Sequence, residues 1–379
     1  MEPKIRFKGF EGEWKAQSLS DHNFSIIAGG DVDKKLLQNN GKYPVIANAL
    51  TNDGILGYYM DSFRVNGPAV TVTGRGDIGV AIARHYSFTP VVRLLSIKSN
   101  HNVDFLANAI NCYKAAKEST GVPQLTTAKL QEYRIPIPKE MDEENAIASY
   151  FTSLDSQISV STSRLAALKQ VKAASLQAMF PQEGETVPKI RFKGFEGEWK
   201  KVKADSIFKT FNEKNRSDLP VLSATQDRGM VTRESIGYNI FHDTSNEATY
   251  KHILPGQFVI HLRSFQGGFA HSEIEGIASP AYTIMDFKNK DLYHDYYWRY
   301  VFMSKEFIKR LELITYGIRD GRSISYDEFK EMSFLVPSKE EQIKIASYLK
   351  NLDRQISLQS QRLEKLKQIK SACLDKMFV

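Results

Sequence analysis

An internal repeat constrains this chain more than any other feature. The segment PKIRFKGFEGEWK stands at residues 3–15 and again, unchanged, at residues 188–200. A longer pair aligns without a gap: residues 147–180 read IASYFTSLDSQISVSTSRLAALKQVKAASLQAMF, and residues 345–378 read IASYLKNLDRQISLQSQRLEKLKQIKSACLDKMF, with 19 identities in 34 positions. The period is far longer than that of a solenoid repeat. The chain is therefore a duplicated scaffold that carries two different inserts.

The two inserts, residues 16–146 and 201–344, differ in sequence but share a faint pattern of elements. Each predicts a strand with a turn, then a β-branched strand, a basic glycine-containing loop and another strand. A helix follows in both, and then a short helix and a strand that ends at proline. Each insert is long enough to bury its own core, so we expect two mixed α/β domains.

The long repeat predicts a coiled-coil helix, because apolar residues recur at steps of four and three and neither copy contains Gly or Pro. One step of the pattern is polar in both copies, at Ser161 and Gln359, which could fix the register or simply be tolerated. Because the two seams match, we expect the helices to pack on each other, antiparallel if a pseudo-twofold axis relates the halves. The alternative is that each helix packs on its own insert. The expected interface residues are Ile147, Phe151, Leu154, Ile158, Leu165, Leu168, Ile345, Leu349, Leu352, Ile356, Leu363 and Leu366.

These patterns predict a mixed α/β chain in four parts. They are a first α/β domain at 1–142, a first coiled-coil helix at 143–181, a second α/β domain at 182–338 and a second coiled-coil helix at 339–379.

The composition excludes several classes of protein. Apolar residues make up 42% of the chain and charged residues 25%, which excludes collagen-like, mucin-like and fully disordered chains. No apolar run approaches the roughly 20 residues of a membrane helix, and the amino terminus lacks an apolar signal core. Two cysteines, Cys112 and Cys373, fit a reducing compartment better than a disulfide framework. We expect a cytoplasmic protein with no membrane partner.

The formal net charge of +7 suggests an anionic partner, for which nucleic acid is the usual candidate; the alternative is a merely soluble basic protein. The charge is spread out. Residues 16–142 carry 13 basic and 11 acidic side chains, residues 201–338 carry 18 of each, and residues 339–379 carry 9 and 5. Any DNA contact therefore depends on locally placed residues or on help from a partner.

Signals for catalysis are weak. Residues 74–79 spell GRGDIG, which fits GxGxxG after a strand, but VAIA follows and predicts a second strand instead of the helix that a dinucleotide site needs. No GxxxxGK[ST] or GxSxG motif occurs, and the eight histidines lack metal-ligand spacing. We therefore expect no catalytic residues, no metal and no cofactor in this chain.

The duplicated scaffold, its heptad helices, the two divergent α/β inserts and loops such as TGRGDIG and GVPQLT resemble the specificity (S) subunit of Type I restriction–modification systems. The opening PKIRFKGFEGEW resembles that family's usual start to a target-recognition domain, and the resemblance covers the whole chain. It implies a non-catalytic subunit in which each insert reads one half of a bipartite, asymmetric target in double-stranded DNA.

The same resemblance implies that the paired helices set the gap between the half-sites and dock two modification subunits, which use S-adenosylmethionine to methylate adenine. It further implies restriction subunits, an ATP-dependent translocase and endonuclease that uses Mg. Two domains on a rigid helix pair can meet major grooves about 34 Å apart, or a multiple of that distance. Because the inserts differ, we expect the half-sites to differ.

Reading a base needs paired donors and acceptors, such as Arg for guanine or Asn and Gln for adenine. Arg75 is the clearest candidate because its two flanking glycines allow a close approach of the backbone. Each candidate could instead contact phosphate, or be an ordinary solvated loop residue. The candidates are Asn48, Gly74, Arg75, Gly76 and Gln124 in the first domain, and Thr225, Gln226, Arg263, Gln266, Arg319 and Arg322 in the second.

Two other classes of function stay open at this point. A two-domain adaptor that binds proteins would show no salt-dependent affinity for DNA. A nuclease with an unrecognised site would cut DNA by itself with a divalent metal.

Overall fold

The computed structural model describes residues 2–113, 124–225, 228–236, 244–261, 268–314 and 324–378. Its helices are α1 (Val103–Cys112), α2 (Thr127–Gln131), α3 (Met141–Ala178), α4 (Ala204–Ile207), α5 (Asp295–Met303), α6 (Lys305–Ile314), α7 (Tyr326–Glu331) and α8 (Lys339–Met377). Its strands are β1 (Lys15–Ser18), β2 (Phe24–Ala28), β3 (Tyr43–Ile46), β4 (Ile55–Tyr59), β5 (Ala69–Thr73), β6 (Ala81–Arg84), β7 (Thr89–Pro90), β8 (Leu94–Ser99), β9 (Arg134–Ile137), β10 (Lys200–Lys203), β11 (Phe208–Phe211), β12 (Leu222–Thr225), β13 (Gly229–Thr232), β14 (Lys251–Ile253), β15 (Phe258–Ile260), β16 (Phe269–His271), β17 (Gly276–Ala278), β18 (Thr283–Phe287) and β19 (Ser333–Val336). None of the described helices combines the length and apolarity of a bilayer span.

The chain divides into two compact units. The first contains Met1–Ser163 and Gln361–Val379, and the second contains Arg164–Ser360. Each unit therefore holds one α/β domain, the first part of one long helix and the last part of the other. The boundary between the units falls inside both long helices, because each unit groups the residues that pack together. The four parts predicted above instead divide the chain by its order in sequence.

The first unit is built around an antiparallel sheet of order β2-β8-β5-β6. Every residue of β5 is buried, as expected for the β-branched run AVTVT. The helix α1 begins at Asn102, whose side chain accepts hydrogen bonds from the N–H groups of Asp104 and Phe105 and so caps the helix. Two smaller sheets, β4-β3-β7 and β1-β9, complete the domain.

The second unit has a sheet of order β11-β18-β15-β16, with the pairs β12-β13, β14-β17 and β10-β19. When the four strands of each sheet are numbered by their order in the chain, both sheets have the spatial order first, fourth, second, third. The two inserts therefore share a fold despite their different sequences, and the prediction of two mixed α/β domains is confirmed.

The 13-residue repeat joins both long helices within each unit. In the first unit, Arg6 forms an ion pair with Glu143 near the start of α3, and the N–H of Ile5 donates to the carbonyl of Lys376 near the end of α8. Trp14, at the end of the repeat, is buried in the core. One short segment thus holds the beginning of one helix and the end of the other.

The second copy makes the same contacts in the second unit. Arg191 forms an ion pair with Glu341 near the start of α8, and the N–H of Ile190 donates to the carbonyl of Ala178 at the end of α3. Trp199 is buried as Trp14 is. Identical sequence in the two copies is therefore matched by equivalent partners.

The helix segments pair antiparallel in each unit, as the sequence predicts. In the first unit, the Tyr150 hydroxyl lies 3.4 Å from Cys373 Sγ, and Lys370 Nζ lies 2.5 Å from Asp155. The contacts therefore move toward the amino end of α8 as they move toward the carboxyl end of α3, so the two segments are antiparallel.

Repeat-equivalent residues form the same pairs in the second unit. The Ser175 and Tyr348 hydroxyls are 3.3 Å apart, and Lys172 Nζ lies 2.5 Å from Asp353. These pairs also run in opposite directions along the two helices.

The twelve predicted interface residues are all buried or half-buried. Ile147, Phe151 and Leu154 lie in the first unit's core, where Met377 and Phe378 from the end of α8 also pack. The second core likewise combines the start of α8 with the end of α3. The start of each helix therefore contacts both its own α/β domain and the other helix.

Candidate nucleic-acid interface

The candidates of the first domain meet at the turn between β5 and β6. The Thr73 hydroxyl closes this turn by accepting from the N–H of Val80 and donating to the carbonyl of Asp77. Gly79 N–H donates to the Thr73 carbonyl at 2.8 Å. The GxGxxG segment is thus the turn of an antiparallel hairpin followed by a strand, as expected, and it lacks the helix that a dinucleotide site needs.

Asn48 holds the start of this turn through its amide group. Its Oδ1 accepts from the N–H groups of Gly74 at 2.7 Å and Arg75 at 3.3 Å, and its Nδ2 donates to the Arg75 carbonyl at 2.6 Å. Both ends of the amide are therefore engaged with backbone. In this arrangement Asn48 positions the Arg75 loop.

Gly74 brings three loops together. Its N–H donates to the Arg93 carbonyl at 3.0 Å, and its own carbonyl accepts from the N–H of Leu125 at 2.9 Å. A Cβ at this position would lie 2.4 Å from the Arg93 carbonyl oxygen, so only glycine allows this approach. Arg75 and Gln124 form a single antiparallel β-bridge beside it.

Three side chains of this loop cluster are exposed: Arg75, Arg93 and Gln124. Arg93 Nη1 donates to Gln124 Oε1 at 3.2 Å. Gly76, at a φ of +75°, faces open space, and the exposed Asp77 carboxylate lies in the same turn. The cluster therefore presents two guanidinium groups and one amide, with one carboxylate nearby.

Sequence reasoning missed Arg93, which ends the turn between β7 and β8. No glycine flanks it, and its partner Gln124 lies 31 positions away. The one unusual local feature is a φ of +74°, in a region that residues other than glycine rarely adopt. Nothing in the sequence VVRLL announces that conformation.

In the second domain, the described part of the site is the β12–β13 hairpin. The Thr225 hydroxyl donates to the Gly229 carbonyl at 2.7 Å and accepts from the N–H of Arg228 at 3.1 Å. Thr225 thus shapes a turn that carries the exposed Arg228. The other candidates, Gln226, Arg263, Gln266, Arg319 and Arg322, lie outside the described residues.

The exposed groups of the first cluster suit an anionic or acceptor-rich partner. A guanidinium donates only, and its fork matches phosphate oxygens or the two acceptors of a guanine edge. Asn48 and Gly74 hold the backbone that carries these groups, which lowers the cost of ordering the loops when a partner binds.

Known proteins are similar to this chain in part of the sequence and in the fold. The family model of the Type I restriction modification DNA specificity domain matches residues 12–170 and again residues 196–368. A putative type I specificity subunit of Mycoplasma pneumoniae is 32% identical over 142 residues, which cover 36% of this chain and 39% of that protein. A second such subunit of the same organism is 29% identical over 165 residues, 41% of this chain and 49% of that protein. The matched regions thus span less than half of either relative.

The fold of this chain also matches a crystal structure of a Type I restriction–modification S subunit from M. genitalium. The TM-score is 0.66 over 100% of this chain and 99% of that chain, at 15% sequence identity. At that identity the likeness concerns the fold alone.

Proposed function

This chain belongs to the family of the Type I restriction modification DNA specificity domain, and on that premise we propose that it selects the DNA sequence on which a restriction–modification complex acts. Each α/β domain reads one half of a bipartite, asymmetric target. The paired helices set the spacing of the half-sites and dock two modification subunits. The chain itself catalyses nothing.

One observation carries this proposal. Equivalent residues of the repeat make equivalent contacts in both units, while the loops on the two α/β domains differ in sequence. A constant frame that presents two different loop surfaces suits a protein that reads two different half-sites. In the first domain, Arg75, Arg93 and Gln124 contact the DNA, and Asn48 and Gly74 position them.

The reaction chemistry belongs to partner subunits in this proposal. The modification subunits bring S-adenosylmethionine for adenine methylation, and the restriction subunits bring ATP and Mg. The modest charge of each insert agrees with a clamp on the DNA backbone that the partners share.

A map of methylated adenine in the source cell, with and without this gene, tests the proposal. We expect deletion to remove one gapped, asymmetric motif. If deletion changes nothing, and expression together with the methyltransferase genes of the same system adds no methylation, the proposal is wrong. A lack of salt-dependent affinity for DNA would then favour the adaptor function.

A single variant tests the assignment of the site. Arg75→Ala should relax or weaken the reading of one half-site only, because the residue lies in one domain. Equal losses at both half-sites, or no loss, would refute the assignment.

A further inference from the structure

We infer that Arg93 and Gln124 act as one unit that reads guanine in the half-site of the first domain. The inference rests on the proposed function and specifies the base chemistry of that site. It concerns a pair of side chains in which the contact with Arg93 directs the Gln124 amide oxygen toward the guanidinium, an orientation that a free glutamine is not held in.

The contact between the two side chains fixes the direction of the amide. Arg93 Nη1 lies 3.2 Å from Gln124 Oε1, and a guanidinium has no acceptor. The amide oxygen must therefore face Arg93. Gln124 is left with its two Nε2 hydrogens to offer, and Arg93 keeps its remaining N–H groups.

The backbone beneath the pair holds both residues in place. The turn that carries Arg93 is closed by the Leu94 N–H, which donates to the Val91 carbonyl at 3.0 Å. The Arg93 carbonyl accepts from Gly74, as described above, and Gln124 is bridged to Arg75. A left-handed conformation at a residue other than glycine persists only where its surroundings determine it, and such residues cluster at functional sites.

The pattern of donors selects among the bases. In the major groove guanine presents two acceptors, N7 and O6, whereas adenine presents one acceptor and one donor and cytosine presents a donor. A free glutamine suits adenine, because its oxygen accepts from N6 while its nitrogen donates to N7. Here the contact with Arg93 turns that oxygen toward the guanidinium, and Arg93 adds further donors. The pair therefore matches the guanine edge.

The sharpest test replaces the amide nitrogen of Gln124 with an oxygen. Gln124→Glu keeps an acceptor toward Arg93, so the pair and its loop remain, but it turns the outward donor into an acceptor. The chain and its variants are expressed together with the methyltransferase genes of the same system, and methylated adenine is mapped. We expect a guanine in one half-site of the wild-type motif, and a switch of that position toward cytosine, whose N4 amino group donates.

Arg93→Ala should relax the same position by roughly 10-fold to 100-fold in preference, the discrimination that one bidentate contact supplies. Arg93→Lys should relax it as well, because a lysine lacks the planar fork. Arg134→Ala, at an exposed arginine on β9 of the same unit, is the matched control and should leave the motif unchanged. Thermal unfolding of each purified variant separates relaxed reading from a failure to fold.

Three results would overturn the inference while the proposed function stands. The first is a wild-type motif without guanine in either half-site, and the second is a motif that no substitution of Arg93 or Gln124 changes. The third is methylation that is weakened equally on all sequences, which indicates a phosphate contact. If the wild-type chain confers no gapped motif at all, the proposed function and this inference are overturned together.

Discussion

The guanidinium of Arg6 binds both carboxylate oxygens of Glu143, through Nε at 2.6 Å and Nη2 at 2.7 Å. The Glu143 side chain is almost fully buried, and this hydrogen-bonded pairing raises the pKa of Arg6. Arg191 binds Glu341 in the same two-pronged way in the second unit. Identical segments thus bind equivalent positions of the two long helices, which gives a physical reason for their identical sequence.

Arg6→Ala should lower the free energy of unfolding by about 1.5–3 kcal/mol, because it leaves the buried Glu143 without its charged donor. Arg6→Lys should retain only part of the lost free energy of unfolding, since an ammonium group cannot bind both carboxylate oxygens as the guanidinium does. Chemical denaturation measures both. Lys8→Ala, at an exposed residue of the same segment, should change stability by less than ~0.5 kcal/mol. If Arg6→Ala matches Lys8→Ala, the pair does not stabilise the unit.

Phe378→Ala should destabilise the first unit, although the residue stands at the far end of the chain from that unit's α/β domain. Its ring is buried and lies 5.3 Å from the ring of Phe105 and 6.2 Å from that of Trp14, centre to centre. Truncating such a buried aromatic side chain costs about 3–5 kcal/mol. Hydrogen exchange should show weaker protection in α1 and β5.

Phe180→Ala is the matched control for this prediction. Phe180 is the repeat-equivalent residue and packs in the second core, 5.6 Å from the ring of Tyr297. It should weaken protection in α5 instead. Equal losses in both units from either variant would contradict the assignment of each helix end to one core.

Gly74→Ala should abolish the reading of one half-site, because the new Cβ would lie 2.4 Å from one backbone oxygen and 3.0 Å from another. The loops that carry Arg75, Arg93 and Gln124 would have to separate. Gly12→Ala, outside this loop cluster, meets nothing within 4 Å and should cost only about 1–2 kcal/mol for its positive φ, with the motif retained. Maps of methylated adenine for the two variants measure the difference. If both variants change the motif equally, close packing at Gly74 is not required for reading the half-site.

Stability of the second unit should fall as the pH drops below about 6.5. Burial lowers the pKa of His294, and the nearby Lys339 and Lys350 act in the same direction, against the opposing effect of Asp295. The pKa of His294 in the folded chain therefore lies below the ordinary histidine value of about 6.5, so the unfolded chain takes up the proton first as the pH falls. This contribution is fully present above the unfolded pKa and is lost as the pH falls through that value toward the folded one.

His294→Asn should reduce the loss of stability of the second unit as the pH falls. Denaturation midpoints between about pH 7.5 and about pH 5.5 measure this loss. His22→Asn, at an exposed histidine of the first unit, should leave the pH dependence as it is in the wild type. An unchanged slope in the His294 variant would show that this histidine does not contribute to it.

Much of the fold could be predicted because its signals are local. The heptad pattern placed the first helix at 143–181, and α3 runs over Met141–Ala178; it placed the second at 339–379, and α8 runs over Lys339–Met377. Loop composition predicts five candidates in the first domain, and the structure brings them together around one turn: Asn48, Gly74, Arg75, Gly76 and Gln124. The role of each side chain could not be predicted from the sequence. The Asn48 amide, for example, hydrogen-bonds to the backbone of another loop, and no local pattern indicates that contact.

The duplicated frame, the two α/β inserts and the order of their elements can be read from the sequence, because periodicity and turn chemistry act between neighbours in the chain. Which segments share a core depends on the folded arrangement, in which Phe378 packs beside Trp14 and Arg93 contacts Gln124. These contacts join residues far apart in the chain. They depend on how whole elements pack, and no local pattern encodes that packing.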